Sequence, residues 1–162
     1  IRRMIFHEFR FCCTLDGLMS SLLLPSKNNI DNLSNHISEK LAGLMGQYGI
    51  SAAPETIRYD NSGTMILPDD YAYAEEFSQM LEDNPALERE MRAVNALSSH
   101  YAGMQESQAF HQEYQNASLA EQNAIVAKYS YLFTDSRSAA DIALKFTPEG
   151  ALTISVDGEH LS

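Results

Sequence analysis

The sequence predicts an α+β domain: a four-stranded antiparallel sheet from two similar β-hairpins, about 56–67 and 142–156, covered mainly on one face by four or five helices. Three observations predict it. The stretch "IRYDNSGTMIL" (57–67) is echoed by "LKFTPEGALTI" (144–154), and each alternates apolar and polar residues around a turn. The residues between the two carry helix start signals and apolar stripes at helical spacing. A chain of 162 residues with 44% hydrophobic and 20% charged residues has the size and composition of one globular domain.

Residues 1–30 form a separate, poorly specified segment, and residues 31–162 a single domain. The segment opens on Ile1 rather than Met, as expected of a fragment or an expression product. Its apolar runs are too short and too interrupted by His7, Glu8 and Arg10 for a signal peptide or a membrane span. A tail, an added segment or a piece packed on a partner are the readings it leaves. Cys12 and Cys13 are adjacent and have no spaced partner for a disulfide framework or a zinc site, which suits a cytoplasmic protein.

Leu33, Ile37, Leu41, Leu44 and Tyr48 then recur at steps of three and four, so they share one helical face. Asp31 or Ser34 is a candidate cap and Gly49 a left-handed stop. In the first hairpin, Asp60 opens the turn and Gly63 closes it. In the second, Thr147, Pro148 and Gly150 do the same work with different residues. Tyr59, Met65, Leu67, Phe146, Leu152 and Ile154 are expected on the apolar face. A lone hairpin is marginal in water, so the two are expected to share one sheet.

Between the hairpins, Asp69 or Asp70 is expected to cap a helix with Tyr73, Phe77, Met80 and Leu81 on one side. A second helix starts with Asn84 as cap and Pro85 in its first turn, where a missing N–H costs nothing. Its seam is Leu87, Met91, Val94, Leu97, Tyr101 and Met104, with continuity past Gly103 left open. A last helix starts at a Ser118–Glu121 capping box and is expected to turn Leu119, Val126, Tyr129 and Phe133 inward. The strand at 152–156 is expected to end the fold, with "DGEHLS" trailing.

The net charge of −11 divides unevenly, with +2 on residues 1–30 and −13 on the rest. Such a body repels phosphate backbones, so nucleic acid is not an expected partner. From Asp69 to Glu90 there are eight acidic residues and one basic, Arg89. Asp69, Asp70, Glu75, Glu76, Glu82 and Asp83 make a candidate docking face for a basic protein surface, set against the plainer reading of a solvated, dipole-matched helix face. No phosphate loop, nucleophile elbow, calcium loop or zinc motif is complete, and no cofactor is expected. The remaining constellation is His100, Glu106, His111 and Glu113 within "SSHYAGMQESQAFHQEY". On a continuous helix its histidines share a face but stand ~16 Å apart along the axis, so they converge on one ion only if the chain folds back near Gly103.

The sequence therefore supports a non-catalytic interaction module (adaptor, regulator, secretion chaperone or accessory subunit) with another protein as partner and no membrane contact. In charge, length and class alone it looks broadly like the type III secretion chaperones, which work as dimers. No motif carries the likeness, so the family is not assigned, and a homodimer is one expectation among the partners. The long helical block between the hairpins departs from their pattern. The alternative is a small metal-dependent or acid–base hydrolase using His100, Glu106, His111 and Glu113.

Overall fold

The computed structural model describes residues 24–134 and 139–161. Residues 1–23, with Cys12 and Cys13, lie outside them. Helix α1 (Lys27–Met45) begins ahead of both Asp31 and Ser34, because Ser26 is its cap: the Ser26 side chain accepts from the Asn29 N–H at 3.3 Å. Ile30, Leu33, Ile37, Leu41 and Met45 make its buried stripe. Leu44 and Tyr48 are only partly buried; the α-helix gives way at Gly46 to one 3₁₀ turn (Gly46–Tyr48), which takes Tyr48 off the helical phase. Gly49 ends that turn with φ 72°, the left-handed stop that glycine supplies without steric cost.

The sheet is antiparallel throughout and has five strands, in the order β2-β1-β3-β4-β5. They are β1 (Thr56–Tyr59), β2 (Met65–Ile66), β3 (Ile142–Phe146), β4 (Leu152–Val156) and β5 (Glu159–His160). The four-strand expectation is thus corrected. Asp157 and Gly158, at φ 51° and 88°, form a tight turn that brings Glu159 and His160 back beside Val156 and Ser155. Asp-Gly between strands is a strong hairpin signal. The "DGEH" of "DGEHLS" is therefore turn and strand, not a trailing end.

Both longer turns close in the same way. The Gly63 N–H donates to the Asp60 carbonyl and the Gly150 N–H to the Thr147 carbonyl, each at 2.9 Å. Asp60 Oδ1 accepts from the Thr64 N–H at 2.8 Å, and Thr147 Oγ1 from the Ala151 N–H at 3.3 Å. Two short turns leave β1 free to pair with β3, with Ile57 directly opposite Leu144 and Leu144 opposite Ile154. That row is buried. The neighbouring row, Thr56, Lys145 and Thr153, alternates to the other face, and there Lys145 and Thr153 are exposed.

Three helices complete the described architecture: α2 (Ala74–Asp83), α3 (Pro85–Asn116) and α4 (Leu119–Lys128), the last followed by a 3₁₀ turn (Ser130–Phe133). Neither Asp69 nor Asp70 caps α2. Its N-cap is Tyr73, without a side-chain bond. α3 starts after Asn84 with Pro85 in its first turn as expected, but the Asn84 side chain makes no capping bond and donates to the Met80 carbonyl at 2.8 Å. The helix runs unbroken through Gly103 to Asn116.

The first half of α3 buries Leu87, Met91, Val94 and Ser98 against α1 and the sheet. α1 and α3 run antiparallel, since Tyr48 meets Asn84 (3.4 Å) and Lys40 meets Glu90 (2.9 Å). No helix among the described residues is long and apolar enough to cross a membrane.

Candidate functional site

All six carboxylates of the candidate acidic face are exposed. Asp69 and Asp70 sit in the turn before α2. Along the helix, Glu75, Glu76, Glu82 and Asp83 fall within an arc of ~120° at helical pitch, and the opposite side buries Phe77, Met80 and Leu81. Folding dictates that layout: once the apolar side is drawn to the core, the charged side must face water.

Of the eight carboxylates from Asp69 to Glu90, Glu88 is taken by Arg92 and Glu90 by Lys40 and His36. Among the described residues, the other six form no ion pair. Asp83 accepts from the Tyr48 hydroxyl at 3.0 Å and from Gln79 Nε2 at 3.1 Å, neither of which cancels its charge.

Dipole matching accounts for only half of the α2 charges. Glu75 and Glu76 lie in the first turn, where carboxylates complement the positive end of the helix. Glu82 and Asp83 lie in the last turn, at the negative end, and no basic residue accompanies them there. This pair is opposed by the end of α2 but also stands just ahead of the N-terminus of α3, which begins at Pro85.

The histidine–glutamate constellation is dispersed. With α3 continuous, His100 and His111 stand ~16 Å apart along the axis. Both border a cleft of about 1240 Å³, as does Glu106; its other walls include Tyr131, Thr134, Ala140 and Asp157. Glu113 belongs to the opposite flank. It accepts from Lys128 Nζ at 2.8 Å and from the Tyr129 hydroxyl at 2.7 Å, and these two bonds hold its carboxyl below the usual carboxylate range. Among the described residues, no group of three or more His, Cys, Asp or Glu side chains is placed to hold a metal ion.

A feature without a counterpart in the sequence reading is the arm formed by the second half of α3 and by α4. α4 packs on α3 and on the 3₁₀ turn, and it buries no residue of its own. Of the four residues expected to turn inward, only Tyr129 does. Leu119 is 86% exposed, Phe133 63% and Val126 42%. Helical spacing alone cannot say how much of a helix will be covered, and here one neighbour covers one side. The 3₁₀ turn also breaks the phase that would carry Phe133 inward.

What holds the arm is aromatic. The Phe110 ring lies 5.6 Å from Tyr114, 5.5 Å from Tyr129 and 5.3 Å from Phe133, the last two edge-on. The Glu121 carboxylate accepts from the Ser118 N–H at 2.9 Å, fixing the start of α4. Comparison with protein-family models, with characterised proteins and with solved structures gives no significant match.

Proposed function

We propose that this chain is a non-catalytic protein-interaction module, of the adaptor, regulator, secretion-chaperone or accessory-subunit kind, and that its acidic face takes a partner with a basic surface. The observation that carries this reading is the Glu82–Asp83 pair. Two exposed carboxylates without an ion pair among the described residues leave a net negative field at the junction of α2 and α3. A cationic partner gains from that field on binding and is steered in by it. Asp69, Asp70, Glu75 and Glu76 extend the face and leave it unpaired. The cytoplasmic setting is part of the same proposal and rests on two adjacent cysteines with no spaced partner.

The hydrolase alternative draws its support from His100, Glu106 and His111 bordering one cleft. The axial separation of the histidines and the engagement of Glu113 on the other flank weigh against it.

The test is a pull-down from host lysate with the wild-type chain and with a Glu75→Lys/Glu76→Lys/Glu82→Lys variant side by side. A stoichiometric protein that leaves the wild-type bait at high salt and is missing from the variant is the expected result. A protein held equally by both baits would overturn the assignment of this face.

A further inference from the structure

The arm has two flanks of different character. Glu113, Asn116 and Ala117 of the α3 end and Glu121, Ala124 and Lys128 of α4 line one of them. At helical pitch, Leu119 and Val126 point to the other, as Met104 and His111 do on α3. Each of these pairs is spaced by seven residues, so each helix presents a stripe that a neighbouring helix can follow at a shallow crossing angle. Tyr131 continues the surface at the base of the arm, and Phe133 lies close by against Phe110.

We propose that this flank is where two copies of the chain pair, arm against arm, in a four-helix arrangement. It goes beyond the acidic-face reading and uses a different surface. Two properties argue for a second copy as the occupant.

The first is charge. Residues 104–133 carry only Glu106, Glu113, Glu121 and Lys128 as charged groups, in a chain of net charge −11. Glu113 and Lys128 neutralise each other on the far flank, and Glu121 lies there too. Glu106 is the one charged group of residues 104–133 on the pairing flank, whose walls also include Asp157, so this flank carries far fewer charges than the acidic α2 face. Two acidic α2 faces, by contrast, would repel.

The second is area. Aromatic side chains present roughly 150–250 Å² each and aliphatic ones somewhat less, so Met104, Leu119, Val126, Tyr131 and Phe133 at their observed exposures offer on the order of 500 Å² per copy. Pairing would bury on the order of 1,000 Å² from these five alone, and the polar residues between them bring the total to the size of a specific interface, about 1,200–2,000 Å².

The test is sedimentation velocity on the full chain over a range of concentrations, at low and at high salt. A dimer whose affinity is nearly independent of salt is expected. Leu119→Glu and Val126→Glu should each weaken it by roughly tenfold or more, while Ala124→Glu on the far flank leaves it unchanged. Leu119 and Val126 are exposed in the single chain, so circular dichroism and melting of both variants should match wild type.

As a second measurement, a photo-crosslinker at position 119, in a mixture of isotope-labelled and unlabelled chains, should join a labelled copy to an unlabelled one. A chain that stays monomeric at the highest concentration, with crosslinks only within one copy, overturns the proposal and assigns the flank to another occupant. A dimer that survives both arm variants overturns it as well.

Discussion

The Leu152 N–H donates to Ser38 Oγ at 2.9 Å, which ties the first residue of β4 to the middle of α1. The bond exists because β5 is short. It reaches only Ser155 and Val156 in register, and the Leu161 N–H extends the pairing to the Ile154 carbonyl. Leu152 lies two residues further along the same edge, where no strand residue reaches it. Ser38 meets this N–H while donating its own hydroxyl to the Ser34 carbonyl at 2.7 Å.

Ser38→Ala should therefore lower stability by roughly 1–3 kcal/mol, because it leaves a part-buried N–H without an acceptor. Ser78→Ala is the control. Its hydroxyl only bonds back to the Ala74 carbonyl of its own helix, so the loss should stay within about 0.5 kcal/mol. Urea denaturation of the two variants compares them directly, and equal midpoints would show that water serves Leu152 as well as Ser38 does.

The two turn glycines should differ in their tolerance. Both have positive φ, 79° at Gly63 and 90° at Gly150, so a β-branched residue at either is strained by about 1–3 kcal/mol. A Cβ at Gly63 would meet only Arg92 Nη1, at 3.8 Å. At Gly150 it would stand 3.4 Å from Met45 Sδ and 3.6 Å from the Ala42 backbone nitrogen, within the contact of turn and helix. Gly150→Val should lower the denaturation midpoint more than Gly63→Val, and a reversed order would contradict the packing of this turn on α1.

The Tyr59 hydroxyl is buried with no hydrogen-bond partner among the described residues, and burial, with Glu88 adding repulsion, pushes its pKa up to about 12. The unfolded chain releases this proton near pH ~10. The folded state keeps it longer, so the associated stability is whole below about pH 10 and declines as pH climbs toward 12. Tyr59→Phe removes an unsatisfied polar group. It should match or exceed wild type at pH 7, by up to about 1 kcal/mol, and lose less stability between pH 9 and 11. Parallel pH profiles for the two proteins would mean that the hydroxyl is solvated.

Glu82→Lys separates binding from folding on the acidic face. The last turn of α2 favours an ammonium at this position while the start of α3 at Pro85 favours the carboxylate, so the two dipoles oppose and stability should change by less than about 0.5 kcal/mol. The same substitution should weaken capture of a basic partner. A variant that is both less stable and still binding would contradict the electrostatic account of this pair.

The sequence by itself determined the locally closed parts of this protein. The Asp60 and Thr147 turns, the Asn84–Pro85 start of α3, the Gly49 stop and the Ser118–Glu121 contact are all settled by bonds within a few residues, so residue type and spacing suffice to read them. The α1 stripe and the sheet's apolar face were legible for a related reason, since alternation and helical pitch sort side chains before any partner is known.

The Asp157–Gly158 turn was equally local and could have been read. Two residues of strand are too few to show alternation, so Asp-Gly is the one local signal for β5. Tertiary structure alone decided that β1 pairs with β3, that α3 runs straight past Gly103 and keeps His100 and His111 apart, and that Leu119, Val126 and Phe133 stay exposed. A periodic pattern states which side of an element is apolar. Whether anything covers that side depends on where distant elements end, and α1 and the sheet stop short of the arm.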